Sequence, residues 1–178
     1  MFEATLVATF PNHLLAEIAI KDLAAKHFKM ASMSIIGQGY HTDEQAVGFY
    51  NMGDRMKFWG KRGAFWGGLW GLFVGGVAVT VPGVGLVMIL GTLAAAVIST
   101  LEGAVVVGGV SVLAAALISI GIPKNSIVQY ETSLKADSFL VTVHGSAEEL
   151  TRARAVLGHS GPNCIEVHPS HGATSAAA

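Results

Sequence analysis

The sequence predicts an α+β protein, a ferredoxin-like split βαβ domain interrupted by a long glycine-rich apolar helical hairpin of membrane type. Three observations lead to this prediction. The two ends of the chain share the same order of strand, capped helix and strand. The segment between them, residues 63–122, contains a single charged side chain, Glu102, in sixty positions. The same segment repeats glycine and other small residues at every fourth position.

The 178 residues divide where the composition changes. Residues 1–62 are the first half of the domain and end in a basic, aromatic segment that would flank a membrane. Residues 63–122 are the insertion, 123–171 the second half, and 172–178 a low-complexity tail that we expect to be disordered. A net charge of −1 gives no polyanion-binding balance, so we expect no nucleic-acid partner. The single cysteine, Cys164, rules out an internal disulfide.

The first half begins with a β-rich run, Thr5 to Phe10, which predicts a strand. Asn12 is a suitable N-cap for the apolar pattern of helical spacing that follows. Ser32 to Gly39, with the β-rich run Ser34 to Ile36, predicts a second strand, and Ala46 to Tyr50 a short third one.

The second half repeats this order. Pro123 can begin a helix, and Ser138 to His144 predicts a strand. Ser146 and Glu149 have the spacing of a capping box at the start of a further helix, and Cys164 to Val167 predicts the last strand. Two βαβ halves are the units of a ferredoxin-like sheet, and each alone buries too little, so we expect them to pair.

The insertion contains three apolar blocks, and each approaches the length of about 20 residues that a membrane-spanning helix needs. They are Ala64–Val81, Leu86–Leu101 and Ala104–Ile120. Because the two half-domains must meet on one side, an even number of crossings is required. We therefore expect a helical hairpin that turns at Pro82. The third block crosses the membrane, re-enters it or packs on neighbouring subunits, and the sequence leaves these three possibilities open.

Small residues four positions apart share one helix face and let another backbone approach closely. We therefore predict a homo-oligomer built through glycine-zipper helices, with packing inside the hairpin alone as the alternative. The predicted oligomerisation residues are Gly63, Gly67, Gly71, Gly75, Gly91, Ala95, Ser99 and Gly103.

Basic and aromatic residues surround the start of the insertion, as is typical of the cytoplasmic flank of a membrane span. The predicted membrane-interface residues are Arg55, Lys57, Trp59, Lys61, Arg62, Trp66 and Trp70. They predict a multi-pass protein of the cell inner membrane, in contact with membrane lipid and with both termini in the cytoplasm. An amphipathic helix packed on the domain is the alternative. Glu102 is a possible intramembrane acid, although the hairpin would place it at the interface.

No motif predicts catalysis, a cofactor or a metal site. The histidines and cysteine near the C-terminus are His159, Cys164, His168 and His171, and their spacing matches no zinc signature. Thr142 and His144 offer no set of nucleophile, base and orienting group. We therefore expect no enzymatic activity.

Residues 48–71, the Pro82 to Gly85 turn and the sequence Gly121-Ile122-Pro123 resemble a family of uncharacterised bacterial membrane proteins. These proteins are often labelled general-stress or low-temperature-induced and are similar to the YflT-like stress proteins. The resemblance implies a split polar domain around a glycine-rich helical insertion and a link to stress. It implies no activity and no catalytic residues.

The leading functional hypothesis is a non-enzymatic integral membrane protein that self-assembles and organises the membrane under stress. One alternative is an oligomeric channel or transporter gated by the soluble domain. The other is a large soluble or lipid-enclosing homo-oligomeric assembly that buries the helices between subunits.

Overall fold

The computed structural model describes residues 4–39, 60–73, 75–103 and 111–169. The strands in these ranges are β1 Ala4–Phe10, β2 Met33–Gln38, β3 Gly76–Val81, β4 Gly85–Gly91, β5 Phe139–Gly145 and β6 Cys164–Pro169. The helices are α1 His13–Ala25, α2 Gly60–Leu72, α3 Thr92–Gly103, α4 Val112–Ser119, α5 Lys124–Lys135 and α6 Ala147–Gly158. The predicted strand at 46–50 and the tail 172–178 lie outside the described residues.

The strands form one antiparallel sheet in the order β3-β4-β2-β5-β1-β6. The four strands from the two chain ends are neighbours in the order β2-β5-β1-β6, with every adjacent pair antiparallel. This is the arrangement of two interleaved βαβ units. It places both chain ends in one sheet.

The helix caps predicted from the sequence are present at the starts of three helices. The Asn12 side chain accepts a hydrogen bond from the Leu15 backbone N–H at 3.0 Å, so it caps α1. Ser146 and Glu149 form the predicted capping box at the start of α6. Pro123 is the N-cap residue of α5.

The predicted fold class is wrong for the insertion, residues 63–122. Where a hairpin of long helices was expected, the structure has the strands β3 and β4 between the short helices α2 and α3. β4 pairs with β2, with Ile36 opposite Ile89, so the insertion widens the sheet to six strands in the described part of the chain. The sequence blocks Ala64–Val81 and Leu86–Leu101 are therefore each divided between a strand and a helix.

The predicted turn at Pro82 exists, but it joins two strands. The Val84 N–H donates to the Val81 carbonyl at 3.0 Å, and Gly83 has a φ of 76°. Proline at the second position of a turn and a glycine of positive φ at the third are typical of a type II turn.

In the described part of the chain, no helix combines the length and apolar composition that crossing a bilayer requires. The predictions of an integral membrane protein, of transmembrane glycine-zipper helices and of a multi-pass inner-membrane location are therefore wrong.

Most apolar side chains described in the insertion lie in two cores on opposite faces of the sheet. On the first face, α1, α2 and α6 pack against the sheet, and Trp66 and Leu69 of α2 are buried there. On the second face, α3, α4 and α5 form the covering layer, with Leu93 and Leu117 fully buried. The sheet and its own helices thus bury the apolar sequence that was attributed to lipid.

Candidate functional site

A row of polar side chains crosses three strands on the second face of the sheet. The register places Thr5 of β1 opposite His144 of β5 on one side and His168 of β6 on the other. All three residues are buried. Thr5 Oγ1 lies 2.9 Å from His144 Nδ1 and 3.5 Å from the carbonyl oxygen of Ile120, so the row reaches the layer above the sheet.

Tyr130 of α5 joins this row from the helical layer. Its hydroxyl lies 2.6 Å from Glu166 Oε2 and 2.6 Å from His168 Nε2. The hydroxyl has one proton, and an ionised carboxylate can only accept, so Tyr130 donates to Glu166. His168 must then donate from Nε2 to the phenol oxygen. The three side chains hold α5 against the edge strand β6.

Burial controls the protonation of this network. Burial lowers the pKa of His144 from 6.5 to about 4. The pKa of His168 is also lowered by burial, and the nearby Glu166 carboxylate opposes that shift. The pKa of Tyr130 is raised, first by burial and then by its hydrogen bond to Glu166. At neutral pH both histidines are uncharged and the phenol keeps its proton.

The network offers no activated nucleophile. Burial and the Glu166 carboxylate raise the pKa of the Cys164 thiol, which keeps it protonated. The Thr142 hydroxyl is buried and has no hydrogen-bond partner within the described residues. The chemistry of these groups is that of a structural clamp between helix and sheet.

The ligand-type residues near the C-terminus are spread apart. In the described ranges, no three His, Cys, Asp or Glu side chains group as metal ligands. His159 Nδ1 lies 2.6 Å from the Ala155 carbonyl oxygen at the end of α6, whereas His168 contacts Tyr130. His171 lies outside the described residues.

The predicted oligomerisation residues do not share one helix face. Gly63, Gly67 and Gly71 lie in α2, but Gly75 and Gly91 belong to the β3–β4 hairpin region and both have positive φ. The remaining three, Ala95, Ser99 and Gly103, lie in α3, where Ala95 and Ser99 are exposed.

The predicted membrane-interface residues are divided in a similar way. Trp66 is only 4% exposed and packs against Phe139, with ring centroids 6.1 Å apart. Trp70 is half-buried and lies beside Gly76 of β3. Lys61 and Arg62 lie in α2 and Glu102 in α3. Arg55, Lys57 and Trp59 lie outside the described residues.

The exposed residues that the structure describes on α2, β3 and α3 carry no charge, and we call this set of residues the neutral edge. Helices α2 and α3 pack on opposite faces of the sheet, and β3 is the strand at the edge between them. The side chains of residues 60–65 and 101–103 are not among those described. Leu72 and Ile98 are the large apolar side chains of the neutral edge, 44% and 43% exposed. Its members are Gly67, Gly68, Gly71, Leu72, Ala78, Thr80, Ala95, Ile98 and Ser99.

The sequence prediction missed β3 and the network around Tyr130. The signal for β3 was present, because Val77, Val79 and Val81 alternate with smaller residues just before a Pro-Gly turn. No comparable signal existed for Thr5 and His144, which meet only through the register of β1 with β5.

Comparison with protein-family models, curated proteins and solved structures found no match. The resemblance to stress-related bacterial proteins therefore stays a prediction.

Proposed function

We propose that the protein is a non-enzymatic assembly protein, a homo-oligomer whose subunits meet through the neutral edge. The proposal follows one of the two alternatives that the sequence left open, a large soluble or lipid-enclosing homo-oligomeric assembly that buries the helices between subunits.

The observation that carries the proposal is the neutral edge itself. Its described exposed residues come from α2, β3 and α3, and none of them is charged. Helices α1, α5 and α6 carry charged side chains, such as Glu17 and Lys21 on α1, which form an ion pair at 2.6 Å. An uncharged exposed patch beside such polar surface is typical of a protein–protein contact.

The buried polar row supports the non-enzymatic part of the proposal. Its side chains contact each other between two packed layers, and Tyr130 is only 1% exposed. A catalytic group needs access to substrate and a nucleophile with a nearby base. The polar row serves stability, and the neutral edge serves assembly.

Sedimentation velocity of the full chain without detergent, over a hundredfold range of concentration, tests this proposal. We expect a species whose mass is a multiple of 18.5 kDa, the mass of one chain, and which persists in high salt because the contact is uncharged. A mass of 18.5 kDa throughout the range would contradict the proposal.

A further inference from the structure

The outer side of β3 is an edge of the sheet. The hydrogen bonds between β3 and β4 show which residues of β3 direct their backbone N–H and C=O groups outward. The Gly91 N–H donates to the Gly75 carbonyl at 3.1 Å, so these two residues form a hydrogen-bonded pair of the β3–β4 ladder. Pairing residues in an antiparallel ladder alternate between hydrogen-bonded and non-hydrogen-bonded. Val77, Val79 and Val81 therefore point their backbone groups toward β4. Gly76, Ala78 and Thr80 point theirs toward the outside of the sheet.

Among the described residues, this edge has none of the usual protection against pairing. Natural edge strands carry Lys, Pro, a bulge or an inward charge that prevents contact with another strand. β3 reads Gly-Val-Ala-Val-Thr-Val and pairs with β4 through all six residues without a bulge. In the described part of the chain no strand lies on its outer side. The side chains of Ala78 and Thr80 are exposed and small.

We propose that β3 pairs with β3 of a second copy of this chain, antiparallel and about a twofold axis at Ala78. This inference rests on the proposed function and names the contact that it requires. The outward backbone groups of the two strands meet only when Gly76, Ala78 and Thr80 of one strand pair with the same three residues of the other. When all six residues of each strand overlap, Ala78 lies opposite Ala78 and Gly76 opposite Thr80. Three such pairs, each exchanging two bonds, give about six hydrogen bonds. The result is one sheet that continues through both subunits.

A second copy fits this edge because the strand is self-complementary. The twofold axis places Ala78 opposite its own copy, so a charged residue at this position would meet a like charge. No residue of β3 carries a charge. The described exposed residues of α2 and α3, on the two faces of the sheet, are uncharged as well.

Helix α2 is positioned to join the same contact. Trp70 lies over Gly76 of β3, with ring atoms 2.9 Å from the place that a Cβ would take. At 3.6 residues per turn, Gly67 lies about 60° from Trp70 around the helix, on the side away from the buried Leu69. A Cβ added at Gly67 or Gly71 would meet nothing within 4 Å. The α2 helices of two paired subunits can therefore approach closely.

The size of this surface suits a specific dimer. Six residues of strand and thirteen of helix each extend about 20 Å. The layers of α2, β3 and α3, each about 10 Å thick, give a contact of about 20 by 30 Å. That is about 600 Å² per subunit and about 1,200 Å² in total, the lower limit for stable interfaces.

Two substitutions at Ala78 test the pairing. Ala78→Lys places two ammonium groups together at the axis, and Ala78→Pro removes the outward N–H while leaving the ladder with β4 intact. Val128→Lys is the matched control, because Val128 is 64% exposed on α5, on another part of the molecule. Sedimentation velocity of each variant in the full chain gives the mass, and circular dichroism shows that the monomer is folded.

We expect both Ala78 variants to sediment with half the mass of the wild type or less, or to need at least tenfold higher concentration to associate. Val128→Lys should sediment as the wild type does. If folded Ala78 variants keep the wild-type mass, the β3 pairing is wrong while self-assembly stands. If the wild type is itself monomeric, the proposed function fails together with the pairing. A monomeric wild type with slow hydrogen exchange at Ala78 would mean that another segment of the same chain covers the edge.

Discussion

Thr5 and His144 lie directly opposite each other on two antiparallel strands, and the threonine Oγ1 is 2.9 Å from Nδ1 of the imidazole. The strands come from opposite ends of the sequence, so this contact exists only when the two half-domains have joined. Both residues are nearly completely buried under the helices of the second face. A proton on His144 would therefore place a charge inside the folded domain.

We predict that the protein loses stability as the pH falls below 6.5. Burial lowers the pKa of His144 from 6.5 to about 4, so between these values the unfolded chain binds a proton that the folded chain does not. The free energy of unfolding then falls by about 1.4 kcal/mol per pH unit, about 3 kcal/mol in all. Above pH 6.5, His144 does not make the free energy of unfolding depend on pH. Urea unfolding at a series of pH values measures the effect.

His168 acts in the same direction, because burial also lowers its pKa. His144→Asn should therefore reduce the slope of stability against pH, and His168→Asn should remove part of the remainder. His27→Asn is the control, since His27 is exposed and has a φ of 63° that asparagine tolerates. A slope unchanged by His144→Asn would show that this histidine is not the group being titrated.

Tyr130→Phe should reduce the free energy of unfolding by about 1–3 kcal/mol, because it leaves two buried or half-buried polar partners without their shared hydroxyl. Both contacts are 2.6 Å long. Urea denaturation with an unchanged m-value would measure the loss. Thr132→Ala on the same helix is the matched control, since its hydroxyl donates to the Val128 carbonyl of its own helix. Equal effects of the two variants would mean that the phenol hydroxyl does not hold α5 in place.

Gly91→Ala should destabilise the fold by about 3 kcal/mol or more. Gly91 has a φ of +95°, and a Cβ there would lie 2.2 Å from the Met33 carbonyl oxygen, a backbone atom that cannot move aside. Thermal unfolding followed by circular dichroism provides the measurement. Wild-type stability in this variant would disprove the tight approach of β4 to β2 at this position.

Gly71→Ala should have the opposite effect and stabilise the monomer by about 1 kcal/mol. Gly71 is exposed within α2, and an added Cβ meets nothing within 4 Å, so only the gain in helix propensity remains. The unfolding experiment is best made in the Ala78→Lys background, where assembly does not contribute. Gly158→Ala near the end of α6 is the control, because an added Cβ there also meets nothing within 4 Å. A loss of stability at Gly71 alone would place this helix face inside the subunit.

The two ends of the chain could be predicted because their elements are defined by local chemistry. Asn12 and the Ser146–Glu149 capping box fix where α1 and α6 begin, and both caps are present. The alternating run that contains Thr5 and Val7 needs no knowledge of its partners to be recognised as a strand.

The insertion could not be predicted from hydropathy, because an apolar side chain is suited equally to lipid and to a protein core. Leu93 and Val97 are fully buried within the chain itself, between α3 and the sheet. Glycine spacing was equally ambiguous. Gly67 and Gly71 are exposed on a helix, whereas Gly91, which continues the pattern, is required by a positive φ. The alternation of Val77, Val79 and Val81 was the stronger signal, since a helix does not produce it.

The placement of β4 beside β2 underlies both proposals, and a disulfide tests it directly. The Gly39 N–H donates to the Leu86 carbonyl at 2.8 Å, so the next pair, Gln38 and Val87, is non-hydrogen-bonded with Cα atoms about 4.5 Å apart. That distance is within the range of a disulfide.

Gln38→Cys with Val87→Cys, in a Cys164→Ser background, should form a disulfide within one chain on oxidation, detected by peptide mass spectrometry. The control, Gln38→Cys with Met88→Cys, points its thiols to opposite faces and should not. A failure of the 38–87 pair to cross-link, or equal cross-linking of both pairs, would contradict the insertion of β4 into the sheet.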